Sequence, residues 1–319
     1  MGYFPPRMIP RRSFLALLLA GSLATSWAAD PVKLLTVGNS FADDATSYLP
    51  GLAKAGGKDL VVYRVNLGGH SLEQHAGYLA AYTADPADPK GSPYKSIDRK
   101  EQVSLPQALK ADKWNFVTIQ QVSHKSPDPA TYEPYATQLI DEIRKDAPQA
   151  KILVHQTWAY REDSPSYKDG KTQQTMYDGL KAAYEKLAQQ HGLEILPSGT
   201  AFQNARQSPN WKFQFPDANF DYANPKQDAN PDQKGSLNIG WRWAKNKEGE
   251  LKFTLDANHA NVAGKYLAAS VWYEVIFGTS VLDNTFVPEG LTPEQAAQLR
   301  QIAHDTVQAQ KKAQAPAAS

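Results

Sequence analysis

Five short apolar runs punctuate the chain: KLLTV at 33–37, LVVYRV at 60–65, NFVTI at 115–119, KILVH at 151–155 and LEIL at 193–196. They are rich in β-branched residues and mostly do not alternate with polar ones. Continuous runs of this length predict strands buried on both faces, as in a parallel sheet. Between them the apolar period lengthens. Residues 131–148 place Tyr132, Ala136, Leu139, Ile140 and Ile143 on one helical face, and residues 175–192 do the same with Met176, Leu180, Ala183, Tyr184 and Leu187 before stopping at Gly192. The alternation predicts an α/β chain folded as a three-layer α/β/α sandwich around a parallel sheet. Sites in such sheets form beyond the carboxyl ends of the strands.

Two regions break the rhythm. Residues 83–105, rich in Pro, Asp, Lys and Ser, read as a long loop over the sheet edge. Residues 208–235 read as an irregular insertion before a hairpin, the whole spanning about 208–255. Residues 291–319 predict a helix with Thr292 as its cap, Pro293 at its first position and Gln295 at the third, followed by a frayed tail. At the other end, residues 1–28 have a basic start, an apolar stretch over 14–20, and Ser26 and Ala28 placed for signal-peptidase cleavage. Arg11-Arg12 before Ser-Phe-Leu fits a twin-arginine (Tat-like) leader, and an ordinary Sec signal also accommodates it. The stretch is too short for a permanent membrane span. Residues 30–290 are therefore the expected folded domain, periplasmic or secreted, with no membrane anchoring after cleavage.

Composition narrows the classes. Of 319 residues, 41% are hydrophobic and 21% charged, a globular balance that indicates neither disorder nor a membrane protein. The formal charge is +1; cleavage would remove three of the 34 basic residues and none of the 33 acidic ones. That leaves no basic footprint for nucleic acid. The chain has no cysteine, which excludes disulfides, thiol nucleophiles, thiolate zinc sites and the acylated cysteine of a lipoprotein.

Four stretches carry candidate chemistry. Gly38-Asn39-Ser40 ends the first strand, where Ser40 serves either as a helix N-cap, with Asp43 at N3, or as a nucleophile at a strand-to-helix corner. Gly68-Gly69 follows the second strand and either makes a turn or lets a backbone N–H approach an oxyanion. Gln120 and Gln121 follow the third, as a polar strand end or as amide donors. Asp256 and His259 lie three apart before a helix starting near Val262; they cap a turn, or the carboxylate holds the imidazole with Nε2 free as a base.

Taken in chain order, these pieces resemble the SGNH (GDSL-like) hydrolases, over roughly residues 33–280 and within a mostly uncharacterised exported branch. The resemblance implies a flavodoxin-like SGNH sheet and a Ser-His-Asp acyl-enzyme mechanism. Ser40 carries over as nucleophile, His259 as base and Asp256 as its partner. Ser40 and Gly69 carry over as backbone oxyanion donors. Asn39 stands where an aspartate is usual, and QQVS replaces the usual Gly-x-Asn-Asp block, so Gln121 is the nearest stand-in for the oxyanion asparagine, with Gln120 and the backbone as alternatives. No cofactor or metal is implied.

The resemblance implies an ester substrate, a small molecule or a glycan, with acetyl or another short acyl group removed from carbohydrate as the leading reading. An SGNH-type O-acyltransferase and a non-catalytic glycan-binding protein are the alternatives. Candidate substrate-binding residues are Asn39, Trp158, Asn204 and Arg206. Trp158, Tyr160, Trp211, Phe213, Trp241 and Trp243 either stack on sugar rings or pack loops onto the sheet. Residues 217–228 begin like a calcium loop but carry Tyr222 where glycine is needed. His70, His75, His124 and His155 fit no metal-ligand spacing and read as polar loop or core histidines.

Overall fold

The computed structural model describes residues 1–4, 30–215 and 217–314. The chain divides into Met1–Asp30 and Pro31–Ser319, and the second unit carries the fold. The expected leader, apart from residues 1–4, and the frayed tail at 315–319 lie outside the described residues.

In chain order the elements are β1 (Val32–Gly38), α1 (Ser40–Thr46), α2 (Leu49–Ala55), β2 (Leu60–Asn66), α3 (Leu72–Ala84), β3 (Tyr94–Lys95), β4 (Gln102–Val103), α4 (Leu105–Lys110) and β5 (Phe116–Ile119). There follow α5 (Tyr135–Asp146), β6 (Lys151–His155), α6 (Gln173–His191), β7 (Glu194–Leu196), α7 (Ser198–Gln207), β8 (Asn238–Lys245), β9 (Leu251–Ala260), α8 (Val262–Phe277) and α9 (Pro293–Gln314). The five apolar runs form one parallel sheet in the order β2-β1-β5-β6-β7, a flavodoxin-like arrangement. The helices cover it in two layers: α1, α2, α7, α8 and α9 pack together on one face, and α3, α4 and α5 on the other, while α6 lies against α7 and the 3₁₀ turn at Pro129–Thr131.

Local chemistry accounts for the boundaries. α6 starts at a capping box of Thr172 and Thr175, buries its predicted stripe, and ends at Gly192, whose φ of 65° is the left-handed conformation glycine tolerates. Thr292 and Gln295 cap α9 reciprocally, through Thr292 N–H to Gln295 Oε1 (2.9 Å) and Gln295 N–H to Thr292 Oγ1 (3.2 Å). α9 packs on α7 and α8 and buries Leu299, Ala303 and Val307, so it is part of the domain's core.

Two expectations change. Residues 83–105 are not wholly a loop: they hold the end of α3, a single 3₁₀ turn at Pro89–Gly91 and the β3–β4 ribbon. Two-residue strands are too short to show any period. The turn expected around Asp256 is instead a bulge inside β9. Asn238 pairs with Ala260 and Gly240 with Asp256, so residues 257–259 of β9 oppose only Ile239 of β8. Bulges of this kind re-aim side chains.

Candidate active site

Ser40 opens α1 immediately beyond the carboxyl end of β1. It is not the helix cap. Asn39 holds that position in extended conformation, and its Oδ1 accepts the Phe41 N–H at 3.1 Å. The Ser40 hydroxyl is thereby left for other work: its Oγ lies 2.9 Å from His259 Nε2, across 219 positions of sequence.

His259 is held from behind. Its Nδ1 faces both Asp256 carboxylate oxygens, at 3.0 and 3.1 Å, and Asp256 Oδ1 also accepts the His259 backbone N–H at 3.1 Å. Residues three apart on a regular strand face opposite sides; the bulge brings these two together. With Nδ1–H donating to a carboxylate, Nε2 carries the lone pair that can take a proton from Ser40.

Electrostatics reinforce this order. Burial would raise Asp256, but hydrogen bonds from the His259 ring and backbone, with the nearby His259 and Arg242 charges, pull it down to about 2. The Asp256 hydrogen bond raises His259 above its ordinary value against the opposing effect of burial, with Asp44 adding to the rise. Arg242 reaches across from β8, Nη2 to Asp256 Oδ2 at 2.8 Å. Sequence spacing could not reveal Arg242, because only the hairpin register puts it beside Asp256.

Asp44 was also not singled out. One helical turn after Ser40, its Oδ2 accepts the Ala260 N–H at 2.9 Å and its Oδ1 pairs with Lys265 at 3.1 Å. The helix that presents the serine therefore also anchors the residue after the histidine. An acidic residue at i+4 on the same helix was the available signal.

The Leu67–His70 turn is fastened beside Ser40 at both ends: Leu67 N–H donates to Gly38 O at 3.0 Å, and Asn39 Nδ2 donates to His70 O at 3.0 Å. Gly69 has φ +73° and is exposed, a conformation that favours glycine. Among the described residues, no protein acceptor takes the N–H of Ser40 or of Gly69. Both are free to serve an oxyanion.

Gln121 does not join them. It is fully buried; its Nε2 donates to Thr131 O and Oγ1, and its Oε1 accepts the Leu72 and Val122 N–H groups. Its amide ties the start of α3 to the loop after β5, so the expected oxyanion role is corrected. Gln120, the fallback, is also engaged: Nε2 donates to Asn39 Oδ1 at 2.7 Å and Oε1 accepts from His155 Nδ1 at 2.7 Å. The resulting chain His155–Gln120–Asn39–His70 O laces together the ends of β6, β5 and β1 and the turn after β2. A Cβ at Gly38 would lie 2.9 Å from Gln120 Cδ, which explains a glycine there.

The four expected substrate-binding residues are each engaged within the fold. Asn39 is buried within the network just described. Trp158 is fully buried, stacked between Phe41 (4.5 Å between ring centroids) and Phe202 (4.6 Å), and its Nε1 donates to Asn258 O at 2.9 Å, supporting the bulge from below. Asn204 reaches Thr306 Oγ1 at 2.9 Å and joins α7 to α9. Arg206 is buried, its Nη2 bonded to Ala159 O and Asn238 Oδ1, with Glu162 3.7 Å from its Nε. Aromatic type alone does not distinguish a core ring from a binding platform. Trp211 and Tyr160 are likewise buried, and Trp241 and Trp243 pack on Phe253, on the hairpin face opposite Arg242 and Asp256. His75 and His155 are core histidines, held neutral because burial pushes them down to about 4 and about 3.

The chain is similar to the crystal structure of a DUF4886 family protein from Bacteroides uniformis, with 26% identity over 88% of this chain and 95% of that one and a TM-score of 0.66. It is also similar to a candidate SGNH hydrolase from Slackia heliotrinireducens, at 21% identity over 77% and 98% of the two chains with a TM-score of 0.45. A third similar structure is a candidate GDSL-like lipase from Parabacteroides merdae, at 14% identity over 78% and 96% with a TM-score of 0.43. No curated protein matches the sequence. The family described as a domain of unknown function, DUF4886, matches residues 33–222, a stretch that carries all five strands of the sheet, Ser40 and the Gly68-Gly69 turn. The chain belongs to the DUF4886 family.

Proposed function

We propose that this protein is a serine ester hydrolase of SGNH type that removes acetyl or other short acyl groups from carbohydrate. The observation that carries the reading is the continuous hydrogen-bonded line from Ser40 Oγ through His259 to Asp256. Ser40 Oγ attacks the ester carbonyl carbon while His259 Nε2 takes the hydroxyl proton. The oxyanion rests on the N–H groups of Ser40 and Gly69. His259 returns the proton to the departing alcohol, and water, deprotonated by the same nitrogen, then releases the acid and restores Ser40. Asp256 stays ionised throughout and stabilises the imidazolium. The His259 side chain is 37% exposed, which suits an ester carried on a large polar molecule. The leader-like residues 1–28 support action in the periplasm or outside the cell, by Tat or Sec export.

The engagement of both Gln120 and Gln121 favours a second reading, a glycan-binding protein without turnover. Release of acetate from acetylated glycans and from p-nitrophenyl acetate separates the two. The hydrolase reading predicts turnover by the wild type that Ser40→Ala and His259→Ala each abolish. Equal rates in all three proteins would overturn it, and glycan binding without turnover would establish the second reading.

A further inference from the structure

A cleft of about 450 Å³ opens along the outer edge of the sheet. Asp43 of α1 forms one wall, three residues after the serine and therefore on a neighbouring part of the same helical face. Arg64 and Asn66 of the edge strand β2 form its floor, and Lys95 and Arg99 of the β3–β4 ribbon form the far wall.

Three cations and one carboxylate line this space in a chain whose overall formal charge is only +1. Asp43 accounts for one of the cations. Its carboxylate lies 3.7 Å from Arg64 Nε, while its Oδ1 also accepts Asn66 Nδ2 at 2.8 Å. Arg64 is further fixed by Thr46, Nε to Oγ1 at 3.0 Å. Lys95 and Arg99 have no carboxylate partner within 4.0 Å among the described residues. Their backbone is nevertheless held in place. The Tyr63 hydroxyl donates to Lys95 O at 2.7 Å, and Arg99 sits on a closed turn, its N–H bonded to Ser96 O at 2.9 Å, with φ +62°. Arg64 and Arg99 line the same cleft; burial lowers the Arg64 pKa, the carboxylate of Asp43 opposes this, and the charge of Arg99 adds to the lowering. Like charges set together around an open cleft are relieved by an anion.

We propose that this cleft binds a carboxylate carried by the substrate, on a uronate unit next to the sugar whose ester is cleaved, so that the preferred substrate is an acylated acidic polysaccharide. The proposal rests on the ester-hydrolase reading for the cleaved bond, and on the cleft alone for the anion. Guanidinium and ammonium groups along one wall suit a planar carboxylate, and the lining by Asp43, three residues after Ser40 on α1, puts the cleft beside the helix that carries the serine.

Calorimetric titration of the Ser40→Ala protein with an oligogalacturonide, the matched neutral galactose oligomer and a sulfated oligomer tests it without turnover. The uronate oligomer should bind more tightly than the neutral one, and Lys95→Gln with Arg99→Gln should weaken only the acidic ligand, by about tenfold. Equal binding of acidic and neutral oligomers, no binding of the uronate, or an unchanged affinity in the double variant would overturn the proposal. Tighter binding of the sulfated oligomer would overturn the carboxylate assignment. In kinetics on the acetylated forms, the double variant should raise KM for the acidic substrate and leave kcat and p-nitrophenyl acetate hydrolysis unchanged. Failure of the hydrolase reading would show separately, as no acetate released by the wild type from any substrate.

Discussion

The carboxylate of Asp44 accepts the backbone N–H of Ala260 at 2.9 Å, joining the helix that begins with Ser40 to the residue that follows His259. In the proposed mechanism, two residues 219 positions apart must be held to within a fraction of an ångström for proton transfer. This one bond ties their two supports together. Asp44→Ala would leave a buried N–H unpaired and release Lys265. A loss of about 1–3 kcal/mol in urea unfolding is expected. The larger effect should fall on kcat, because His259 loses its fixed distance to Ser40.

The pH dependence of kcat/KM should report His259, which must be neutral to accept a proton. Its Asp256 hydrogen bond raises it above its ordinary value, and Arg242 opposes that rise. Asp256→Asn should therefore move the acid limb of the profile to lower pH and cut the rate by about 10⁴-fold. Arg242→Gln should move the same limb to higher pH with only a few-fold loss of rate. Stability carries the matching signs. Asp256, pulled down to about 2, stabilises the fold fully above about pH 4 and loses that contribution as pH falls through about 2. His259, raised, contributes below about pH 6.5 and loses its share as pH rises through its folded value.

Gly69 and Gln121 should separate catalysis from folding. No atom lies within 4 Å of a Cβ built on Gly69, so Gly69→Ala meets only the strain of its φ of +73°. Movement of the N–H should lower kcat roughly tenfold or more, within the range for a disturbed oxyanion donor, with about 1 kcal/mol of stability lost. Gln121→Leu should do the reverse, lowering the unfolding midpoint through the orphaned Leu72 and Val122 N–H groups. Its kcat, measured below that midpoint, should stay near the wild-type value.

Asn39 is expected to be sensitive in both directions of change. Asn39→Ala removes the cap of α1, the acceptor of Gln120 and the donor to His70 O together, for a loss of about 2–3 kcal/mol. Asn39→Asp keeps the cap and the Gln120 bond but sets a carboxylate oxygen against the His70 carbonyl. It should unfold earlier than the wild type and later than Asn39→Ala in a denaturant series.

The sheet was legible because its inner strands are buried on both faces, which leaves the apolar runs at 33–37 and 151–155 uninterrupted, while the edge strand β2 is half-exposed. The amphipathic stripes of α5 and α6 were legible for the same reason, each having one face on the core. The bulge at 257–259 was not, since register belongs to two strands and the Asp256–His259 spacing lies in one. The meeting of Ser40, His259 and Asp256 could be anticipated because their residue types and order are distinctive. The fold-internal bonds of Trp158, Arg206, Asn204 and Gln121 were not legible, because the groups that bind a ligand in one setting satisfy polar groups of the fold in another.

Covalent capture of the nucleophile bears most directly on the central claim that Ser40 is activated by His259. Incubation of the wild type with a fluorophosphonate, followed by intact-mass and peptide mass spectrometry, should give one adduct, located on Ser40. The adduct should be lost in Ser40→Ala and form far more slowly in His259→Ala. No adduct on the folded wild type, an adduct on another residue, or labelling of Ser40 at the same rate without His259 would contradict the account.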